Sequence, residues 1–272
     1  LVIVEPGTGQ MWNVFVDAVS GDVLQKYSWT AWDSYQVFAS PKESPLDGGR
    51  TIETDPADLS ASPFGWHDTN GAAGADFTDT RGNNVSAQED RDANNSAGFR
   101  PDGGASLDFQ FALDLATQQP VDYQAAAVTN LFYWNNVIHD ILWHNGFDEA
   151  SGNFQVDNFG RGGEDDDPVR AEAQDGWDFG CEDDDFDPPV AIRCRNNANF
   201  NTPADGNRPR MQMYMFDDAG NWAWADGSMD GDVIAHEYGH GVSNRLTGGP
   251  SQVGCLAGDE QMGEGWSDYY GL

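Results

Sequence analysis

Two histidines stand four residues apart in Asp232-Val-Ile-Ala-His-Glu-Tyr-Gly-His240, and Glu237 directly follows the first of them. On an α-helix, positions i and i+4 share a face one turn apart, so His236 and His240 can each aim a ring nitrogen at the same ion. Zinc accepts neutral imidazole at roughly 2.0–2.1 Å. Glu237 projects beside the pair, where it can reach a water at the ion without being a ligand. A catalytic zinc also needs a third protein ligand and an open position. Downstream lies Gly263-Glu264-Gly265-Trp266-Ser267-Asp268, with Glu264 placed 24 residues after His240. That length lets the first helix end, loop back and start an antiparallel partner whose Glu264 faces the histidines. Asp268, one turn further on the same face, can accept the free ring N–H of a ligand histidine, His236 by preference, and so fix its tautomer. A third histidine six residues beyond His240 would be the other way to complete the set, but that position is Leu246.

The chemistry follows from these parts. Zn²⁺ lowers the pKa of a bound water towards about 7 and polarises a carbonyl as a Lewis acid. Glu237 takes the proton of the water and returns it to the leaving amine. The product is a hydrolysed amide. A polymer substrate is held by hydrogen bonds to an edge strand, and Asn-Ala-Asn-Phe (197–200), with Asn197 and Ala198, is the candidate. The plain alternative is a buried helix with hydrogen-bonded histidines, or a silent zinc- or calcium-binding module. A purely structural site has no use for an acid at Glu237. A zinc amidase acting on non-peptide substrates has no use for the edge strand.

Several elements must position these residues. Asp232 to Leu246 reads as the site helix, with Asp232 as its N-terminal carboxylate, a buried face begun by Val233 and Ile234, Gly239 leaving space beside the metal, and Thr-Gly-Gly-Pro (247–250) as its stop. The Gly-Glu-Gly-Trp stretch opens another helix. A long helix is expected over 121–147, where Ala126, Val128, Leu131, Phe132, Asn135, Ile138, His139 and Leu142 recur at helical spacing. His139 and His144 on it read as packing and surface histidines. Residues 1–30 read as strand, turn, strand. Residues 33–120 read as an irregular β-rich region whose clearest strand is Asp-Phe-Gln-Phe-Ala-Leu-Asp-Leu (108–115). Strands are also expected at 197–200 and 211–216. The fold class is therefore α+β, a β-rich lobe followed by the site helices.

Composition narrows the setting. The formal net charge is −33, with only two lysines, Lys26 and Lys42, and such a surface disfavours nucleic acid and anionic membranes as partners. The bland reading of the acid is solubility, the sharper one bound Ca²⁺. No run of about 18 apolar residues is present to span a membrane. Three cysteines, Cys181, Cys194 and Cys255, form no CxxC pair. Cys181 and Cys194 enclose a short acidic loop and can form one disulfide in an oxidising compartment.

His-Glu-Tyr-Gly-His-Gly-Val-Ser-Asn-Arg-Leu-Thr-Gly-Gly-Pro (236–250) followed by Gly-Glu-Gly-Trp-Ser-Asp (263–268) resembles the fungalysin (M36) family of secreted zinc metalloproteases, within the thermolysin-like gluzincins. The resemblance extends over Ala-Ser-Pro-Phe-Gly-Trp-His-Asp-Thr (61–69) and the stretches 80–90, 129–149, 152–163 and 197–216. It implies a secreted zinc metalloendopeptidase with a thermolysin-like zincin lobe, acting on protein or peptide substrates. His236, His240 and Glu264 are then the zinc ligands, Glu237 the general base, and Asn197-Ala198 the substrate strand. Asp232 falls where relatives place a calcium ligand. Residues 1–32 resemble the tail of an inhibitory propeptide and 33–272 the catalytic domain, in a chain expected to be monomeric. The family continues into a helical C-terminal subdomain that carries donors to the tetrahedral intermediate. No such segment is in this sequence, and the expectation is a fragment that binds zinc but hydrolyses peptides poorly.

Overall fold

The computed structural model describes residues 2–4, 11–28, 33–72, 74–179, 195–217, 224–258 and 262–271. In chain order its strands and helices are β1 (Val2–Val4), β2 (Met11–Val16), β3 (Val23–Ser28), β4 (Ser34–Val37), β5 (Thr51–Thr54), β6 (Val85–Glu89), β7 (Asp108–Phe109), α1 (Gln124–His144), β8 (Val169–Ala173), β9 (Ala198–Asn201), β10 (Arg210–Met213), β11 (Met215–Asp217), β12 (Trp224–Asp226), α2 (Gly231–Gly248) and α3 (Met262–Gly271). The architecture is mixed α and β, with α1 and α2 packed on short sheets and α3 packed on α2.

The sheet that matters for the site has the order β6-β8-β10-β9. Its first three strands are parallel, and β9 joins antiparallel at the edge. Side chains alternate across it as a period of two demands. Val85, Ala87, Val169, Ala171, Ala173, Met211 and Met213 are fully buried on the inner face, where α1 packs against β6 and β8. The outer face carries polar residues in two registered rows, Ser86-Arg170-Arg210-Asn201 and Gln88-Glu172-Gln212-Asn199.

Helix α1 is buried along most of its length, and Leu131 and Phe132 are wholly inaccessible. Each such side chain stabilises the fold by about 2–3 kcal/mol through burial. Asp140 ties the preceding loop to it, accepting from Asp58 N–H (3.0 Å), Ser62 O–H (2.7 Å) and Trp66 Nε1–H (2.9 Å). His139 is buried with Nδ1 2.9 Å from the same carboxylate, and exposed His144 pairs with Asp58 at 2.8 Å. Both histidines have packing and surface partners.

Three expectations need correction. The strand anticipated over 108–115 is only the two-residue β7, because the chain turns at Asp114. The Asp114 carbonyl accepts from Gln118 N–H at 2.9 Å and its Oδ2 from Thr117 O–H at 2.6 Å, which draws the backbone out of an extended path. The apolar run 211–216 is split between β10 and β11, which belong to different sheets. Strand β8 lies in the stretch before the acidic loop, where the sequence reading places none. The β2–β3 hairpin matches the strand-turn-strand reading. Cys181 and Cys194 lie outside the described residues, and Cys255 is exposed.

A buried polar chain closes the core near β4. Tyr35 Oη lies 2.7 Å from both Asp33 Oδ2 and His67 Nε2, and His67 Nδ1 lies 3.0 Å from the Arg81 carbonyl. The carbonyl can only accept, so His67 Nδ1 carries a proton and donates to it. The Tyr35 O–H donates to Asp33 Oδ2. Burial pushes Asp33 up to about 7, opposed by the Tyr35 hydrogen bond and assisted by the charge of Asp55. A carboxyl with a raised folded pKa contributes stability that is full below about 4 and lost as pH rises through 7. Asp33→Asn removes the titrating carboxyl. Its melting temperature should match the parent protein near pH 4 and exceed it near pH 8, by the equivalent of roughly 2–4 kcal/mol. No pH-dependent difference in thermal melts would refute the raised pKa of Asp33.

Candidate metal centre

Helix α2 is set by its entry and its inner face. Asp230 caps it, its Oδ1 accepting from Asp232 N–H (3.1 Å) and Val233 N–H (3.2 Å). Asp232 therefore does not start the helix as expected; it lies in the first turn, where burial, and then the charge of Asp230, raise its pKa. The signal was the Asp-Gly-Asp run, in which the first acid has the backbone N–H groups within reach and the second is already helical. Ile234, Tyr238 and Val242 form the buried stripe at i, i+4, i+8. The helix ends at Gly248, and Gly249 takes a positive φ of 85° that glycine adopts without strain.

Arg245 is the residue that the sequence reading passed over. It is fully buried near the C-terminal end of α2 and donates to Asp167 Oδ2 (3.0 Å), Asp205 Oδ1 (3.1 Å) and the carbonyls of Pro203 and Gly152 (both 2.9 Å). Its guanidinium lies 4.9 Å from the centroid of Phe154. A charged residue inside an otherwise amphipathic stripe was the available signal, since burial of Arg demands such partners.

Helix α3 crosses α2 closely. A Cβ on Gly239 would lie 3.0 Å from Ser267 Cα and 2.9 Å from the Tyr270 ring. The glycine makes room for the backbone of α3, which corrects the expectation that it clears space beside a metal. On the other side, Gly241 admits Phe200 of β9 and Phe154, at 2.6 and 2.9 Å from such a Cβ.

This crossing brings three donor atoms together. His236 Nε2 and His240 Nε2 are 3.1 Å apart, and Glu264 Oε2 lies 3.2 Å from the first and 3.3 Å from the second. Three ligands about 2.0–2.1 Å from a tetrahedrally bound ion lie roughly 3.3–3.4 Å from one another, so the triangle fits zinc. Three lone pairs facing inward at these distances repel unless protons or a cation lie between them. Asp268 Oδ1 is 2.8 Å from His236 Nδ1 and accepts its N–H, which leaves the lone pair on Nε2 aimed at the centre. Burial lowers the pKa of His240, against the opposing charge of Glu264. Glu237 is buried, its Oε2 lacks a hydrogen-bond partner, and burial pushes its pKa up to about 8 with the charge of Glu264 adding.

The other candidates are placed as follows. Ala198 opens β9, whose one neighbour among the described residues is β10, and exposed Asn197 immediately precedes it. Phe200 of the same strand packs on α2 through Tyr238, with ring centroids 6.1 Å apart. Among the described residues, no grouping of three possible ligands includes Asp232.

These features define a metallopeptidase-type centre, and the comparisons agree. The model of the fungalysin metallopeptidase (M36) family matches residues 34–272, and the chain belongs to that family. It is 42% identical over 266 residues to extracellular metalloproteinase 2 of Phaeosphaeria nodorum, covering 95% of this chain and 38% of that protein. Extracellular metalloproteinase mep of Aspergillus flavus is 40% identical over 260 residues, covering 94% of this chain and 38% of that protein. Extracellular metalloproteinase 10 of Coccidioides posadasii is 38% identical over 277 residues, covering 98% and 40%. The chain thus spans about two-fifths of the length of these curated relatives. No helix among the described residues is long and apolar enough to cross a membrane.

Proposed function

We propose that this chain carries the zinc centre of a secreted, thermolysin-like metalloendopeptidase that hydrolyses peptide bonds in protein substrates. The observation that carries the reading is the convergence of His236, His240 and Glu264 beside a buried, unpartnered Glu237 carboxylate oxygen. His236 Nε2, His240 Nε2 and Glu264 Oε2 hold the ion. When bound, zinc polarises the scissile carbonyl and acidifies the attacking water.

The protein's own groups do the rest. Glu237 Oε2 accepts the proton of the attacking water and hands it to the leaving amine nitrogen. Its raised pKa suits the second transfer, while a dication nearby acts in the opposite direction and favours the first. Asp268 keeps His236 in the Nδ1–H tautomer. The edge of β9 that is unpaired among the described residues, beginning at Asn197 and Ala198, aligns an extended substrate by backbone hydrogen bonds. Phe200 fixes that strand to α2, so the substrate register and the metal share one rigid support.

Residues 1–32 serve as the tail of an inhibitory propeptide and 33–272 as the catalytic part, in a monomer. Support comes from the β1-β2-β3 sheet, which among the described strands pairs only within itself, and from a family match that begins at residue 34. Ca²⁺ at Asp232 is a further part of this reading, resting on the acidic surroundings of Glu43 and Asp230.

The direct test is metal analysis of the purified protein beside its Glu264→Ala variant. One zinc per chain in the parent and a loss of at least tenfold in affinity in the variant are expected. Equal zinc in both would remove Glu264 from the ligand set.

A further inference from the structure

The outer face of the β6-β8-β10-β9 sheet bears a cleft of about 220 Å³ that is lined by three arginines and no acid: Arg100, Arg170 and Arg208, with Ser86, Gln88 and the loop segment Asn95–Ala97. The composition makes this unusual. Aspartate and glutamate number 46 against 13 lysines and arginines, of which 11 are arginines. In such a chain an arginine finds a carboxylate nearby at almost any surface position. Elsewhere several do so, Arg81 with Asp79, Arg161 with Glu149 and Arg245 with Asp167, while Arg50 donates to the Gln36 carbonyl.

The cleft departs from that pattern. Arg100 donates to Ser86 Oγ (3.2 Å) and Gln88 Oε1, its Nε is buried without a partner, and burial lowers its pKa against the more distant charge of Asp79. Arg208, exposed, donates through Nε to the Asp166 carbonyl at 3.2 Å. Among the described residues neither guanidinium has a carboxylate within ion-pair distance. Arg170 reaches Glu172 at 3.4 Å, but the other oxygen of that carboxylate is taken by Arg210, so the acid is shared. Arg170 also donates to the Asn95 carbonyl at 3.3 Å. Arg100, Arg170 and Arg208 thus line a common space with one shared carboxylate in contact among the described residues.

We propose that this cleft is a binding site for a small dianionic oxyanion, a phosphate or a dicarboxylate, on the face of the sheet turned away from α1. The forked, always-charged guanidinium matches both geometries through paired N–H donors, and Ser86, Gln88, Asn95 and Ser96 supply neutral polar groups around them. A dianion there cross-links β6, β8, the 95–97 loop and the segment at Arg208. It binds independently of the zinc centre, since none of the lining residues belongs to α2 or α3.

Isothermal titration at constant ionic strength, with sodium phosphate, malonate and sodium chloride in separate arms, tests the assignment. Saturable binding at one site per chain by phosphate or malonate is expected, with no such event for chloride, and the stronger arm identifies the oxyanion class. Arg208→Gln and Arg170→Gln should each weaken binding about 5- to 10-fold, Arg208→Lys less, and Arg161→Gln, outside the cleft, not at all. Arg208 is held through a backbone carbonyl alone, so its variants keep the fold, and an unchanged melt in chloride checks this. Responses equal to chloride in all arms, or unaltered binding by both Arg208 and Arg170 variants, would overturn the proposal and leave the arginines as covers of the polar sheet face.

Discussion

On the mechanism proposed above, Glu237→Gln should lower the rate of peptide hydrolysis by about 10²–10⁴-fold while leaving zinc content at the parent level. The amide is nearly isosteric with the acid and fills the same buried slot beside His236 and His240, so neither the helix nor the ligand triangle has cause to move. What it loses is an oxygen able to accept a proton and return it. Turnover of a quenched peptide, measured beside metal analysis on the same preparation, separates this from damage to the site. Variants of His236 or Glu264 behave differently, losing metal and activity together, because their atoms form the triangle. If Glu237→Gln retained near-parental turnover at full zinc occupancy, the proton would travel by another group and the assignment of the base would fail.

The second large effect concerns stability. Arg245→Ala should destabilise the fold by about 3–5 kcal/mol, since it strands the buried Asp167, removes the partner of half-buried Asp205 and leaves carbonyls of the 152 and 203 loops without a donor. At about 2–4 °C per kcal/mol, the melting temperature falls on the order of 10 °C. Zinc affinity should fall with it, because Arg245 fastens the end of the same helix that presents His240. Arg245→Met, which keeps volume over Phe154 but not the charge, should be nearly as costly, and this isolates the ionic contribution from packing. A shift below about 3 °C for both variants would mean that the network is dispensable.

The grouping of His236, His240 and Glu264 was legible in the sequence because its geometry is local. An i, i+4 pair on one helix and a carboxylate one chain reversal away need only helix periodicity and a stop signal to be placed. The helix boundary around Gly249 followed from the same signals. What escaped was non-local. The parallel pairing of β6, β8 and β10 joins segments far apart in sequence, and short runs such as Val-Ser-Ala-Gln-Glu and Val-Arg-Ala-Glu-Ala are polar on their outer face, so they do not read as buried strands. The meaning of Gly239 depends on the neighbour α3, which periodicity within α2 cannot reveal. The raised pKa of Asp33 likewise comes from its burial beside Tyr35, which no local pattern reveals.

One feature bears on what an incompletely packed copy of the chain can do. Two donors sit on α2, but the third sits on α3, beyond the intervening segment after Gly249, and it reaches the centre only when Ser267 comes to rest against Gly239. On the reading proposed above, a copy lacking that contact keeps only the two histidines of α2 and has a weak grip on any ion. The packing of α3 on α2 is thus itself a condition for the proposed centre, so a copy without it would lack the means to attack its neighbours.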